Sequence, residues 1–181
     1  MDVAASLEWQ QGFFPGELEQ VEEAPFALAS TRIDDTTLVT TLDFQHVDSG
    51  LEAMGLDVRA EVFALSTEPL PPVAAVVREA CELVAASNFA ISAQPGTILP
   101  ALADFARLPG EITARHGLFI APSTWEEGVP QVVEEGRMVL MLQLIMLTQA
   151  EFEFALTHSA QELLAKIASE QVPVLDWRRS P

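Results

Sequence analysis

Met138 to Leu147 reads Met-Val-Leu-Met-Leu-Gln-Leu-Ile-Met-Leu, apolar at every position but Gln143. Ten residues are too few to cross a bilayer as a helix, which takes about 20. As a strand, successive side chains point to opposite faces, so both faces of this segment are apolar. Such a strand sits at the centre of a sheet and is covered on both sides. Val132-Val133 precede it, and Glu134-Glu135-Gly136 between them reads as a hairpin turn.

The flanking sequence supplies the covering layers. Leu38 to Val47 alternates β-branched, aromatic and polar residues, which predicts a strand over its full length, broken by Asp48-Ser49-Gly50. Val58 to Leu65 predicts a second strand, close enough in sequence to pair antiparallel with the first. Pro69-Leu70-Pro71-Pro72 opens a helix, since proline is tolerated in a first turn. Val73, Val76, Val77, Ala80, Cys81 and Val84 then follow at helical spacing. Residues 87 to 100 read as a polar loop, and Leu118 to Ala121 as a short strand closed by Pro122. Thr148-Gln149-Ala150-Glu151 is a capping box, with Leu147 and Phe152 at the positions of a hydrophobic staple. Ser159-Ala160-Gln161-Glu162 repeats the signal, leaving open two helices or one bent helix. Residues 1 to 30 are acidic and punctuated by Pro15, Gly16 and Pro25, which predicts a short helix and an edge strand with little core. Residues 172 to 181 read as an extended tail. The fold class is α/β (α+β), a mixed and largely antiparallel sheet flanked by helices, in a single domain over residues 1–181 with 1–30 peripheral.

Composition excludes several functions. Twenty-seven acidic residues against nine basic ones give a net charge of −18 on 181 residues. Surface scaling gives about 8,600 Å² for a folded chain of this mass, a surface that repels phosphates and anionic membranes and steers basic proteins toward it. Cys81 is the single cysteine, so no disulfide forms within the chain; in its apolar helix it reads as a small buried hydrophobe. The first residues, Met1-Asp2-Val3-Ala4-Ala5, have no basic n-region, which predicts a cytoplasmic protein rather than a secreted one.

The search for chemistry finds little. His46, His116 and His158 lie far apart, none with a second histidine or a cysteine at helical or strand spacing. There is no nucleophile elbow, no P-loop and no dinucleotide-binding glycine motif. A hydrolase or metal site around His46 would need Asp43 or Asp48, and strand alternation sets Asp43 and His46 on opposite faces. Carboxylate pairs are numerous because acids are numerous. Trp9, Trp125 and Trp177 lie outside the central elements, as half-exposed contact anchors or as pins holding loops on the core.

A succession of short motifs resembles the suppressor of fused domain family. They are His116-Gly117-Leu118-Phe119-Ile120-Ala121-Pro122; the acidic-glycine loop Trp125-Glu126-Glu127-Gly128; the strand-to-helix junction Val139 to Glu153; His158-Ser159-Ala160-Gln161-Glu162-Leu163-Leu164; and Val174-Leu175-Asp176-Trp177-Arg178-Arg179. Leu38 to Thr41, Glu61 to Leu65 and Pro95 to Pro100 fall upstream in the family's order, with Thr97 where the family often has histidine. Together they span Leu38 to Arg179. The resemblance implies an α/β sandwich with no catalytic residues and no cofactor. Animal members bind a transcription-factor peptide by strand addition and carry a further C-terminal domain; bacterial single-domain members resemble immunity proteins against toxins.

The reading that follows is a non-enzymatic protein-binding module, an immunity protein neutralising a basic toxin being its most concrete form. Trp125, Glu126, Glu127, Glu134 and Glu135 are the candidate partner-binding residues. A peptide-binding adaptor using a sheet edge is the alternative, and an enzyme around His46 a third. No cofactor, metal, nucleic acid or membrane partner is expected, and the protein is expected to be a monomer or weak dimer.

Overall fold

The structure, a computed structural model, describes residues 1–48, 50–126 and 128–180. In chain order the elements are α1 (Val3–Gln11), β1 (Glu19–Glu22), β2 (Leu28–Ile33), β3 (Thr36–Thr41), a 3-10 turn (Phe44–His46), β4 (Leu51–Ala53), β5 (Leu56–Ser66) and α2 (Leu70–Ala86). They continue with β6 (Ile98–Leu99), α3 (Leu102–Phe105), β7 (His116–Ile120), β8 (Gln131–Glu134), β9 (Arg137–Leu147), α4 (Gln149–Thr157) and α5 (Ala160–Glu170). The strands form one sheet in the order β1-β2-β3-β5-β9-β7-β6. Every pairing is antiparallel except β5 with β9. The α/β class, the mixed sheet and its antiparallel bias match the sequence reading.

β9 is the long apolar strand, and its two faces anchor two different layers. On one face Leu142, Leu144 and Met146 join Ala60, Val62 and Ala64 of β5 under the α2 residues Val73, Val76, Val77, Ala80 and Val84. On the other, Met141 with Phe63 and Leu38 meets Phe14 and Leu18, while Ile145 and Leu147 meet Ala155 of α4 and Leu163 of α5. The sheet is therefore the middle of three layers. Burying each of those α2 valines contributes about 1.5–3 kcal/mol. Cys81 lies fully buried among them, and burial pushes its thiol well above the ordinary value.

The sheet is split lengthwise. β4 pairs with Leu56–Val58 of β5 on the side that β3 takes further along. Likewise β8 pairs with Arg137–Leu140 of β9 on the side that β7 takes further along. At one end, then, the strand order is β4-β5-β9-β8.

Helix starts follow their caps. Thr148 and Glu151 make the reciprocal capping box, and Ser159 accepts from the Glu162 N–H at 3.0 Å, so α4 and α5 are two helices. Phe152 stacks on the His116 ring, centroids 4.0 Å apart.

Several sequence expectations change, and the segment 87–100, read as a loop, ends in β6. The strand predicted over Leu38–Val47 stops at Thr41. There Leu42 N–H donates to the Ala27 carbonyl and Asp43 Oδ1 accepts from Ala27 N–H, turning the chain into the 3-10 turn. The tail is folded rather than extended. Its Trp177 is 1% exposed within the α2-side core, and the Trp177 carbonyl accepts from Thr113 and Ala114 N–H at 3.0 Å. Residues 1–30 do hold a helix and an edge strand, but Phe14, Leu18, Ala27, Leu28 and Ala29 are core.

Candidate interaction surface

The registers of the β4-β5-β9-β8 end sort its side chains into rows. Leu51 faces Val58, Val58 faces Met138, and Met138 faces Val133. This apolar row crosses all four strands. Because residues at opposite positions share a face, it lies on the α2 side of the sheet, two residues before Ala60 and four before Leu142. The next row, Glu52–Asp57–Arg137–Glu134, lies on the other side and is charged throughout.

The charged row is largely neutralised. Arg137 pairs with Glu134, and Arg59 reaches Asp57 at 2.8 Å and Asp48 at 3.2 Å. Glu134 also accepts from the amino-terminal ammonium at 2.9 Å; that ammonium and then Arg137 hold its carboxyl below the ordinary range. The apolar row is only partly covered. Val133 is 59% exposed, and two large hydrophobics stand nearby in the open: Met54 (95%) in the β4–β5 turn and Phe89 (57%), whose ring lies against Gly50.

The residues singled out from sequence sit around this end. Trp125 lies in the loop before β8, half-buried, its ring 5.4 to 5.6 Å from Phe13, Phe14 and Phe63. Its indole N–H donates to the Phe13 carbonyl at 3.4 Å, so it pins the loop to the core while lining a cleft of about 350 Å³ with Pro130 and Gln131. Glu126 is exposed, and Glu127 lies outside the described residues. Glu134 and Glu135 are at the β8–β9 turn, Glu135 exposed. Of the other tryptophans, Trp9 is half-buried at 5.2 Å from Phe13, and Trp177 is an internal plug rather than an anchor.

The histidines find no common site. His46 is exposed at the end of the 3-10 turn. Asp43, its expected partner, is at the start of the same turn rather than across a sheet. Burial pushes the Asp43 carboxyl up, against the Ala27 hydrogen bond and the His46 charge. Asp48 is engaged by Arg59. His116 accepts from Ala101 N–H at 3.1 Å through Nδ1 and holds Gln149 Oε1 at 2.8 Å through Nε2; His158 stacks on Phe154 at 4.1 Å. Among the described residues no three His, Cys, Asp or Glu side chains are grouped to hold a metal ion. No helix among them is long and apolar enough to cross a membrane.

Two buried polar clusters are structural. Glu61, fully buried on β5, accepts from Thr41 Oγ1 and from the N–H groups of Phe44 (3.2 Å) and Gln45 (3.3 Å). It thereby caps the 3-10 turn from a distant strand, and burial pushes its carboxyl up to about 7. Arg179, 5% exposed, donates to both Glu151 oxygens (3.0 and 2.6 Å) and to the Met146 carbonyl at 2.7 Å. The capping carboxylate of α4 thus also holds the tail.

The apolar row, half-buried but for Val133, is not legible in the sequence. Leu51–Ala53 is too short to read as a strand, and the row exists only once four strands are in register.

The fold and this surface define a three-layer α/β protein with its sheet only partly covered at one end of its α2 side. No protein-family model matches the chain, and no curated protein matches it. Solved structures do. A suppressor of fused (SUFU) homologue from Neisseria gonorrhoeae FA 1090 superposes with a TM-score of 0.68 at 16% identity, over 98% of this chain and 93% of that one. A chain of the Sufu–Fu complex superposes with a TM-score of 0.72 at 10% identity, over 99% of this chain and 91% of that one. The chain has the suppressor of fused fold along its whole length.

Proposed function

We propose that the protein is a non-enzymatic protein-binding module that takes a basic partner. The observation carrying this is the whole-chain likeness to a protein that was solved in a complex, Sufu with Fu. The charge of −18 favours a basic partner, because complementary fields accelerate encounter. An immunity protein that covers a basic toxin is the most concrete form of the reading. Trp125, Glu126, Glu127, Glu134 and Glu135 are its proposed contacts. Glu126 and Glu135 carry the steering charge, being exposed and in no ion pair among the described residues.

A second reading, an adaptor holding an extended peptide along a sheet edge, is favoured by one feature. The outer edge of β8 has no strand partner among the described residues, and an apolar cavity of about 140 Å³ lined by Val129, Leu140 and Leu142 opens beside it.

The test is affinity capture with the purified protein at low and at high salt, followed by association kinetics with the captured partner. A basic partner released by salt, whose association slows about tenfold or more with the Glu126→Lys, Glu135→Lys variant, supports the reading. Capture of no protein, or kinetics indifferent to both substitutions and salt, overturns it.

A further inference from the structure

α3 packs on α2, and a cleft of about 350 Å³ lies between the first turn of α2 and the segment after α3. Pro71 and Pro72 line it from α2, and Leu108, Pro109 and Ile112 from the segment after α3. Proline rings fix their own backbone, and Leu108 and Ile112 are buried, so the cleft is formed before any ligand arrives. It lies just past the last residue of β5, at the opposite end of that strand from β4 and from the surface described above.

Two arginines and one glutamate line the cleft, a net positive charge on a protein that carries −18. The glutamate, Glu68, is already paired: Arg178 holds both its oxygens, Nε at 2.6 Å and Nη2 at 3.0 Å. The remaining amino group of Arg178 comes only within 3.6 Å of exposed Glu111. Arg107 is exposed, and its guanidinium makes no hydrogen bond or ion pair among the described residues. Asp104, one turn earlier, is taken by Arg115.

The backbone of Arg107 is a second, independent observation. Leu108 N–H donates to the Ala103 carbonyl at 2.8 Å and Arg107 N–H to the Asp104 carbonyl at 3.1 Å, the pairing that ends a helix in a left-handed residue. Arg107 is that residue, at φ +54°, where glycine is usual and a side chain is strained. Strained positions of this kind collect at binding sites.

We propose that this cleft binds a small molecule with an apolar body and a single carboxylate, the body among the prolines and the carboxylate on Arg107. The volume is that of a small-molecule site, near the lower end of the usual range of about 300–1,000 Å³. A single negative charge is answered by the local arginines, whereas a polyanionic partner meets the repulsive field of the whole chain. The site goes beyond the protein-binding reading and does not rest on it.

Phenylbutyrate is the probe and phenylbutanol its uncharged counterpart, each titrated into the protein and followed by amide NMR. The carboxylate binds at least tenfold more tightly than the alcohol and shifts amides within 68–75 and 105–112. Arg107→Gln lowers its affinity about tenfold, whereas Arg32→Gln, the same loss of charge at another exposed arginine, leaves it unaltered. Arg107→Gly lowers the affinity equally while the melting temperature holds or rises, because glycine relieves the left-handed backbone. Equal affinity for the alcohol, binding indifferent to Arg107→Gln, shifts elsewhere, or no binding at millimolar concentration overturns the proposal. So does a protein partner whose affinity falls with Arg107→Gln, since a protein then fills the cleft.

Discussion

Arg179 and Glu151 carry the firmest stability prediction at the scale of single residues. The guanidinium is buried, holds both carboxylate oxygens, and donates to carbonyls of β9 and of the tail. Truncating it leaves a carboxylate half stripped of partners. Arg179→Ala is expected to cost about 3–5 kcal/mol in urea unfolding. Glu61 makes the pH prediction. Its carboxyl, at about 7 in the fold against an ordinary 4.5, favours the protonated folded protein. Stability from this group is therefore full below the ordinary value and lost as pH rises through about 7. The loss amounts to about 3 kcal/mol between acid and alkaline limits. Asp43, also raised by burial, acts in the same direction. Glu61→Gln, compared with the parent protein across pH, is expected to flatten the decline. Equal slopes for the two proteins would remove Glu61 from the account.

Elements whose signals are local were legible, and those whose fate is decided across the chain were not. The capping box at Thr148 and the cap at Ser159 need only their own four residues, and both helices begin where read. Thr148→Ala should accordingly cost about 1 kcal/mol of stability, measured by thermal unfolding. The apolar run of β9 and the valine stripe of α2 were equally plain, because period and burial coincide. β3 was overextended because its end is set by Glu61 and Ala27, remote in sequence, which draw Phe44 and Gln45 out of the strand. The tail was misjudged for the same reason: nothing in Asp-Trp-Arg-Arg announces that a core awaits Trp177. Of the candidate surface, the acidic turn at Glu134 and Glu135 was visible in sequence. The apolar row beside it was not, since it depends on a parallel pairing between residues 57–64 and 137–144.

For the whole molecule, the excess of acids over bases sets behaviour in solution. Eight of the nine cations make hydrogen bonds or ion pairs with carboxylates or carbonyls, so the unbalanced charge is carboxylate. Like charges at this density oppose compaction. The melting temperature should rise with added salt as the screening length falls from about 30 Å at 0.01 M to about 3 Å at 1 M. A melting temperature insensitive to salt would mean the carboxylates are spaced too widely to matter. The parallel bond between β5 and β9, and the late plug of Trp177, bear on how the protein comes to exist at all. A chain emerging from the ribosome has made β5 and the valines of α2 long before β9 arrives, and Trp177 later still. Contacts so distant in sequence form slowly. Until they do, the faces meant for the interior are open to any neighbour. The same surplus of negative charge that opposes compaction of the finished protein holds unfinished copies apart, so the acidity guards the protein's synthesis at some cost to the fold.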